Sequence, residues 1–296
     1  MRNALIRFLC DHAEQYNLYL IVADLGYSVI EPFASRFPSR FLNVGVAEQS
    51  MASIASGMAS EGARCFCYSI ANFPTFRCAE QIRNDIDYHN FPVCIVSVGG
   101  GLAYGSMGYS HHAIQDYGLM RLFPRMTIYA PADPSQAISC LSHIVASESP
   151  AYLRLHKAGE PCLYGESTGP VRPGKLVYLC GSRSSKTCIL TTGYPAQHLY
   201  SLYSLSLNVG VYTVPAWGDM YRQDLVDDLA NFSDIHCVED HLVSGGFGSW
   251  VLESLSSSHQ VSRIKLHCLP SSIINHVGQE EYLLRTSAIF NDLPTP

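Results

Sequence analysis

Charged residues make up only 15% of this 296-residue chain, against roughly 25% in an ordinary soluble protein. So little charge predicts that much of the surface is covered by a partner. Basic residues are outnumbered 19 to 25 by acidic ones and form no run, so the basic groove that binds nucleic acid is not expected. Long apolar stretches are missing as well. The apolar runs are strand-sized, far short of the roughly twenty residues that cross a bilayer, and the opening segment meets Asp11 and Glu14 too soon for a secretory h-region. A cytoplasmic protein, with neither membrane nor nucleic acid as partner, is the expectation. The eleven cysteines are an odd number without a C-x-x-C pair, which points to reduced thiols rather than a disulfide framework. Cys94, Cys180, Cys188 and Cys237 read as small apolar core residues on strands. No internal repeat, heptad or low-complexity tract occurs. No G-x-G-x-x-G follows the first apolar run either, so a Rossmann nucleotide site has little support.

What is present is a composition that builds a core. Hydrophobic residues reach 47%, which excludes fibrous and disordered classes, and the length suits one large or two ordinary domains. Apolar runs of strand length alternate with helical patterns from end to end, the signature of an α/β chain with parallel sheets. Strands are expected at 18–23, 63–68, 92–98, 126–129, 187–192, 210–214, 235–239 and 261–266, and helices at 46–60, 74–88, 134–147, 195–207, 218–231 and 248–258. Residues 156–174 concentrate Gly and Pro without apolar periodicity and read as a linker.

Three segments carry candidate chemistry. In the first, residues 41–60, a strand end runs through Gly45 into a helix of small and apolar residues with Glu48 in its first turn. The helix dipole favours a carboxylate there, so a purely structural role stays open. However, Ala47, Ala52, Ala55, Ser56, Gly57 and Ala59 permit close neighbours on most sides, and such burial would favour the protonated carboxyl. The second, residues 98–116, is a loop with five glycines directly after a strand, where open α/β sheets place their ligand crevice. Its glycines would let a ligand approach the backbone, and His111 and His112 can each donate or accept a proton. A plain turn with surface histidines is the alternative, and adjacent histidines lack metal-site spacing. The third, residues 69–84, sets Phe73, Pro74, Phe76 and Arg77 at a helix start. Aromatic plus arginine can stack a heterocycle and bind an anion, or the rings can be core.

Together, Asn43-Val-Gly-Val-Ala-Glu-Gln49 with Ala55-Ser-Gly-Met-Ala59, the Phe76-Arg-Cys-Ala-Glu-Gln-Ile-Arg83 helix, Ser110-His-His-Ala113 with Asp116, and residues 124–133 resemble the pyrimidine-binding domain of the transketolase family. Ile189-Leu-Thr-Thr-Gly193 and residues 237–249 are similar to that family's C-terminal domain, so the resemblance covers nearly the whole chain. It implies an α/β fold of two three-layer parallel-sheet domains, the thiamine-diphosphate pyrimidine-binding fold at 1–157 and the transketolase C-terminal domain at 174–296, joined by a linker at 158–173. It also implies thiamine diphosphate as cofactor. Glu48 matches the glutamate that protonates N1′ of the aminopyrimidine, and Asp24 lies in the strand-end segment that touches the cofactor. Phe73, with Phe76 second, substitutes for the ring that stacks on the aminopyrimidine, because Pro74 falls about where the family places it. His111 matches a histidine that contacts substrate and handles its protons, His112 stands beside it, and Arg77 and Arg154 match phosphate-binding arginines.

Two departures shape the reading further. Met107 stands where sugar-phosphate transketolases carry an aspartate four residues before the histidine, so a substrate less polar near the reacting carbons is expected. The family's diphosphate and metal site, a G-D-G segment followed by N-N, has only Gly218-Asp219-Met220 as its nearest local match, and no Asn-Asn pair occurs. The resemblance thus implies the C-terminal subunit of a split transketolase that supplies no metal ligand. Thiamine diphosphate would be shared with a separately encoded chain that holds Mg²⁺ or Ca²⁺ through oxygen ligands, in a heterotetramer built on a homodimer of this chain. The implied reaction moves a two-carbon ketol unit between sugars or sugar phosphates, in a specialised sugar pathway. A beta subunit of a 2-oxo acid dehydrogenase and a non-catalytic binding subunit of the same fold are the alternatives.

Overall fold

The computed structural model describes residues 1–165, 169–256 and 263–296. Its strands are β1 (Leu18–Val22), β2 (Phe41–Asn43), β3 (Arg64–Ile70), β4 (Val93–Val98), β5 (Thr127–Tyr129), β6 (Ala151–Leu155), β7 (Val177–Gly181), β8 (Thr187–Thr191), β9 (Gly210–Thr213), β10 (Ala216–Trp217), β11 (Asp234–Leu242) and β12 (Ile264–Leu269). A seven-stranded sheet runs in the order β10-β5-β6-β4-β3-β1-β2, and a five-stranded sheet in the order β12-β11-β8-β9-β7. Pairing is parallel except for β10 on β5 and β7 on β9. The middle of the first sheet follows directly from the sequence: β4 is a continuous apolar run buried on both faces, as strands covered by helices on two sides must be. β10 comes from the second half of the chain and still completes the first sheet.

The two sheets share one apolar core in which Tyr117, Trp217, Phe247 and Trp250 meet. Trp217 stands edge-on to Tyr117 at 5.2 Å and to Phe247 at 5.5 Å. Asp133 caps the helix Pro134–Ala146 by accepting from the Gln136 N–H at 2.7 Å, a favoured cap with proline at the first helical position. Its second oxygen accepts from the N–H groups of Leu163 and Tyr164, which pins the linker to the first sheet. Linker residues 166–168 lie outside the described residues, as do 257–262 at the expected helix end and strand start. All eleven cysteines are free thiols, nine of them buried.

Several expectations need correction. The helix expected at 74–88 is broken into Phe73–Phe76, Ala79–Gln81 and a π-helical turn Ile82–Asp87. Cys78 at the first break donates its thiol to the Glu48 carbonyl, while Asp87 at the far end accepts from the Arg125 N–H at 2.9 Å. Tertiary bonds at both ends hold the segment out of a regular α register, as π-helical insertions do. The helix Glu48–Ser60 is buried on one face only: Met51, Ala52, Ala55, Ser56 and Ala59 are covered, but Ser53, Ile54 and Gly57 face solvent. Strands β6 and β7 arise where no strand was expected. Arg154 interrupts the apolar run of β6, and the run of β7 lies at a sheet edge with half-buried residues.

Candidate active site

β1 connects outward to β2, whereas β3 connects the other way to β4, so the strand order reverses between β1 and β3. Open α/β sheets bind ligands beyond the strand carboxyl ends at that switch point. Asp24 follows β1, Glu48 follows β2 and Phe73 follows β3, so all three are delivered to this edge. Asn43 organises the first two connections. Its side-chain oxygen accepts from the N–H groups of Asp24 and Gly45, and its amide donates to the Asp24 carboxylate at 3.1 Å. Asp24 adopts a left-handed conformation with φ 54°, which a short polar side chain tolerates better than most, and its side chain is exposed.

Glu48 opens its helix and is only 4% exposed. The sequence led us to expect a carboxylate alone among small apolar groups. Instead, Arg77 donates to Glu48 Oε1 at 2.7 Å from a side chain that is 48% exposed. The same guanidinium lies 4.2 Å from the centroid of the Phe73 ring. His111 meets that ring edge-on at 5.4 Å. The structure therefore brings Glu48, Phe73, Arg77 and His111 into one cluster. Beside it, Val46, Ala47, Glu48, Gln49, Ser50 and Arg77 line an open recess of about 420 Å³. A larger recess of about 1030 Å³ lies along the π-helical turn and holds none of the expected site residues.

Asn72 fixes the histidine loop, a role the sequence reading missed. Its amide donates to the carbonyls of Ser110 and His112, at 3.2 and 2.9 Å, and so holds His111 near Phe73. An asparagine two residues after a strand was the available signal, since asparagine readily bonds nearby loop backbone. His111 Nδ1 is bonded to Ser110 Oγ at 3.0 Å. Phe76 is exposed at the end of its short helix, and Met107 is exposed in a tight turn of the glycine loop; neither joins the Glu48–Phe73–Arg77–His111 contacts.

Two expected substrate contacts are committed elsewhere. His112 is buried and Nε2 bonds the Gly105 carbonyl at 3.3 Å inside its own loop; burial shifts its pKa down, which favours the neutral ring. Arg154 is 4% exposed. It donates to Asp116 at 2.8 Å, to Asp240 at 2.7 Å, to the Tyr117 hydroxyl and to the Ala113 carbonyl. Burial opposes its charge, but the two carboxylates prevail and hold the guanidinium charged. Because Arg154 lies on β6 and Asp240 on β11, this network clamps one sheet to the other.

The glycine loop likewise serves the clamp. A Cβ at Gly100 would lie 2.4 Å from Arg154, at Gly101 2.0 Å from the Asp240 carboxylate, and at Gly105 2.3 Å from Leu283. These glycines admit the chain's own side chains, three of them distant in sequence, where a ligand had been expected. Asp219 in Gly218-Asp219-Met220 is also engaged, in ion pairs with Arg222 and Arg121.

Residues 6–159, more than half of the chain, match the family described as transketolase, pyrimidine binding domain. The chain belongs to the transketolase family. Among curated relatives of this transketolase-family protein, one subunit of the apulose-4-phosphate transketolase of Actinobacillus succinogenes is 29% identical over 255 residues, which cover 84% of this chain and 81% of the relative. A putative transketolase C-terminal section of Methanocaldococcus jannaschii is 29% identical over 266 residues, 87% of this chain and 82% of that one. A solved split-gene transketolase, described as an inactive beta4 tetramer, superposes with a TM-score of 0.80 at 26% identity, covering 97% of this chain and 93% of its own. No helix among the described residues is long and apolar enough to cross a membrane.

Proposed function

We propose that this chain is the C-terminal subunit of a two-chain, thiamine-diphosphate-dependent transketolase that moves a two-carbon ketol unit between sugars. The observation that carries the reading is Glu48 itself. It is a buried carboxylate at a sheet switch point, holding a flat N–H donor that also stacks on Phe73. An aminopyrimidine ring needs those same two contacts, so the donor set fits the cofactor. Relatives described as a single transketolase subunit and as a C-terminal section align over most of their own length, which supports a separately encoded partner. Asp219 is committed to two arginines, so we place the diphosphate and its Mg²⁺ or Ca²⁺ on that partner. A heterotetramer around two copies of this chain and a cytoplasmic location complete the proposal; exposed Leu42, Val46 and Ile54 on the Glu48 side offer apolar surface for assembly.

Thiamine diphosphate, if held between Glu48 and Phe73, would supply a nucleophilic thiazolium carbon for a ketose carbonyl. Glu48 exchanges a proton with the pyrimidine nitrogen, a task for a carboxyl shielded from water. Phe73 orients the ring by stacking. His111 uses Nδ1 on Ser110, which leaves Nε2 to hold or move a proton at a substrate oxygen. Arg77 stands at the rim as the cation for an anionic sugar. Met107 offers a substrate hydroxyl no carboxylate, so a site built around it makes no demand for that hydroxyl.

The test is Glu48→Gln in the complex reconstituted with its partner. The variant should fold and assemble yet lose about 10² to 10⁴ of turnover, the range for a general acid–base group. Near wild-type rates would return Glu48 to a helix-end role. In the same assay, pentose phosphates should be poorer substrates than deoxygenated analogues; equal rates would remove Met107 from substrate recognition.

A further inference from the structure

In this chain the seat between Glu48 and Phe73 is held by one of its own side chains. The Arg77 guanidinium is planar, donates an N–H to Glu48 Oε1 at 2.7 Å and covers the Phe73 ring at 4.2 Å. We propose that Arg77 is a resident stand-in for the aminopyrimidine, which must swing out of the seat before thiamine diphosphate can enter it. The inference rests on the cofactor reading above and adds a displacement step to it. A stacked ring bonded to the same carboxylate oxygen and the guanidinium cannot hold these positions together.

The geometry also says which group yields. Glu48 sits in the first turn of a 13-residue helix and is buried, whereas the Arg77 side chain is 48% exposed at the break between two short helices. The Arg77 backbone is relaxed, at φ −69° and ψ −26°. Rotation about side-chain bonds is therefore enough to release it. Next to it, the Cys78 thiol donates to the Glu48 carbonyl at 3.0 Å, so the backbone keeps its place while the side chain leaves. An ion pair with one end in water is weak and exchangeable. Arg77 already lines the recess with Val46, Gln49 and Ser50, so a side chain released from Glu48 stays where it can meet an anionic substrate.

A seat filled by an internal group lowers the apparent affinity by the fraction of time it is filled. Thiamine diphosphate with Mg²⁺ is titrated calorimetrically into the reconstituted complex carrying wild-type chain, Arg77→Lys or Arg77→Ala, so the readout is binding. Arg77→Ala should bind about tenfold tighter. Arg77→Lys, with the charge but no flat face, should fall between the two. Equal or weaker binding by Arg77→Ala overturns the stand-in alone, whereas a wild-type complex that binds no cofactor overturns the cofactor reading and the stand-in with it. Should Arg77→Ala fail to fold, the Nε–H resonance of Arg77 in isotope-labelled wild-type complex decides. It must move on cofactor addition, and an unchanged resonance overturns the displacement.

Discussion

Two arginines in this chain are paired with carboxylates, and their surroundings assign them opposite jobs. Arg154 is buried together with Asp116 and Asp240, and bonds two carboxylates, a hydroxyl and a carbonyl across the junction of the two sheets. Arg77 makes one bond to one buried carboxylate and keeps nearly half its side chain in water. A pair shielded at both ends cannot open without stranding charge in a dry interior, so it acts as a permanent fastener. When one end is wet, water replaces the lost contact at little cost, and the partner can be exchanged. The fixed pair joins the two sheets; the exchangeable one lies at the proposed cofactor seat.

The largest effect expected from this contrast is at the junction. Arg154→Met leaves Asp116 and Asp240 buried without a cation and should cost about 3–5 kcal/mol, measured by urea denaturation. Arg77→Ala should cost about 1 kcal/mol or less in the same assay. Similar losses at the two positions would erase the distinction between them.

A somewhat smaller effect sharpens the picture of the junction. Glu239, adjacent to Asp240, is fully buried and accepts from the N–H groups of Phe247 and Gly248. Burial pushes its carboxyl up from 4.5 to about 7. The folded chain therefore holds this proton more tightly than the unfolded chain does, and stability should fall as pH rises from 4.5 through about 7. The loss should approach about 3 kcal/mol, at 1.36 kcal/mol per pH unit. Glu239→Gln should flatten that part of the stability profile; an unchanged slope would show that Glu239 does not titrate there.

Local patterns were legible and long-range ones were not. Glu48 could be found because a strand end, Gly45 and a small-residue helix follow one another within twenty residues, and β4 because its apolar run has no interruption. β6 was hidden by Arg154, whose carboxylates lie 38 and 86 residues away in sequence. The adjacent histidines show the same limit. His111 faces Phe73 while His112 is buried against Gly105, and a short 3₁₀ turn carries no periodicity to tell them apart. The glycine loop was ambiguous because a glycine makes room equally for a ligand and for a distant side chain. Only the fold reveals that Arg154, Asp240 and Leu283 take the space. Arg77 was seen as an anion-binding group, but its hold on Glu48 depends on the break in the helix that follows Phe73.

The central claim is that this chain carries the Glu48 half of a cofactor site that a second chain completes. Calorimetric titration of thiamine diphosphate with Mg²⁺, into this chain by itself and into its complex with the partner, tests it most directly. The account predicts little or no binding to the chain by itself and saturable, Mg²⁺-dependent binding to the complex; tight, Mg²⁺-dependent binding to the isolated chain would contradict it.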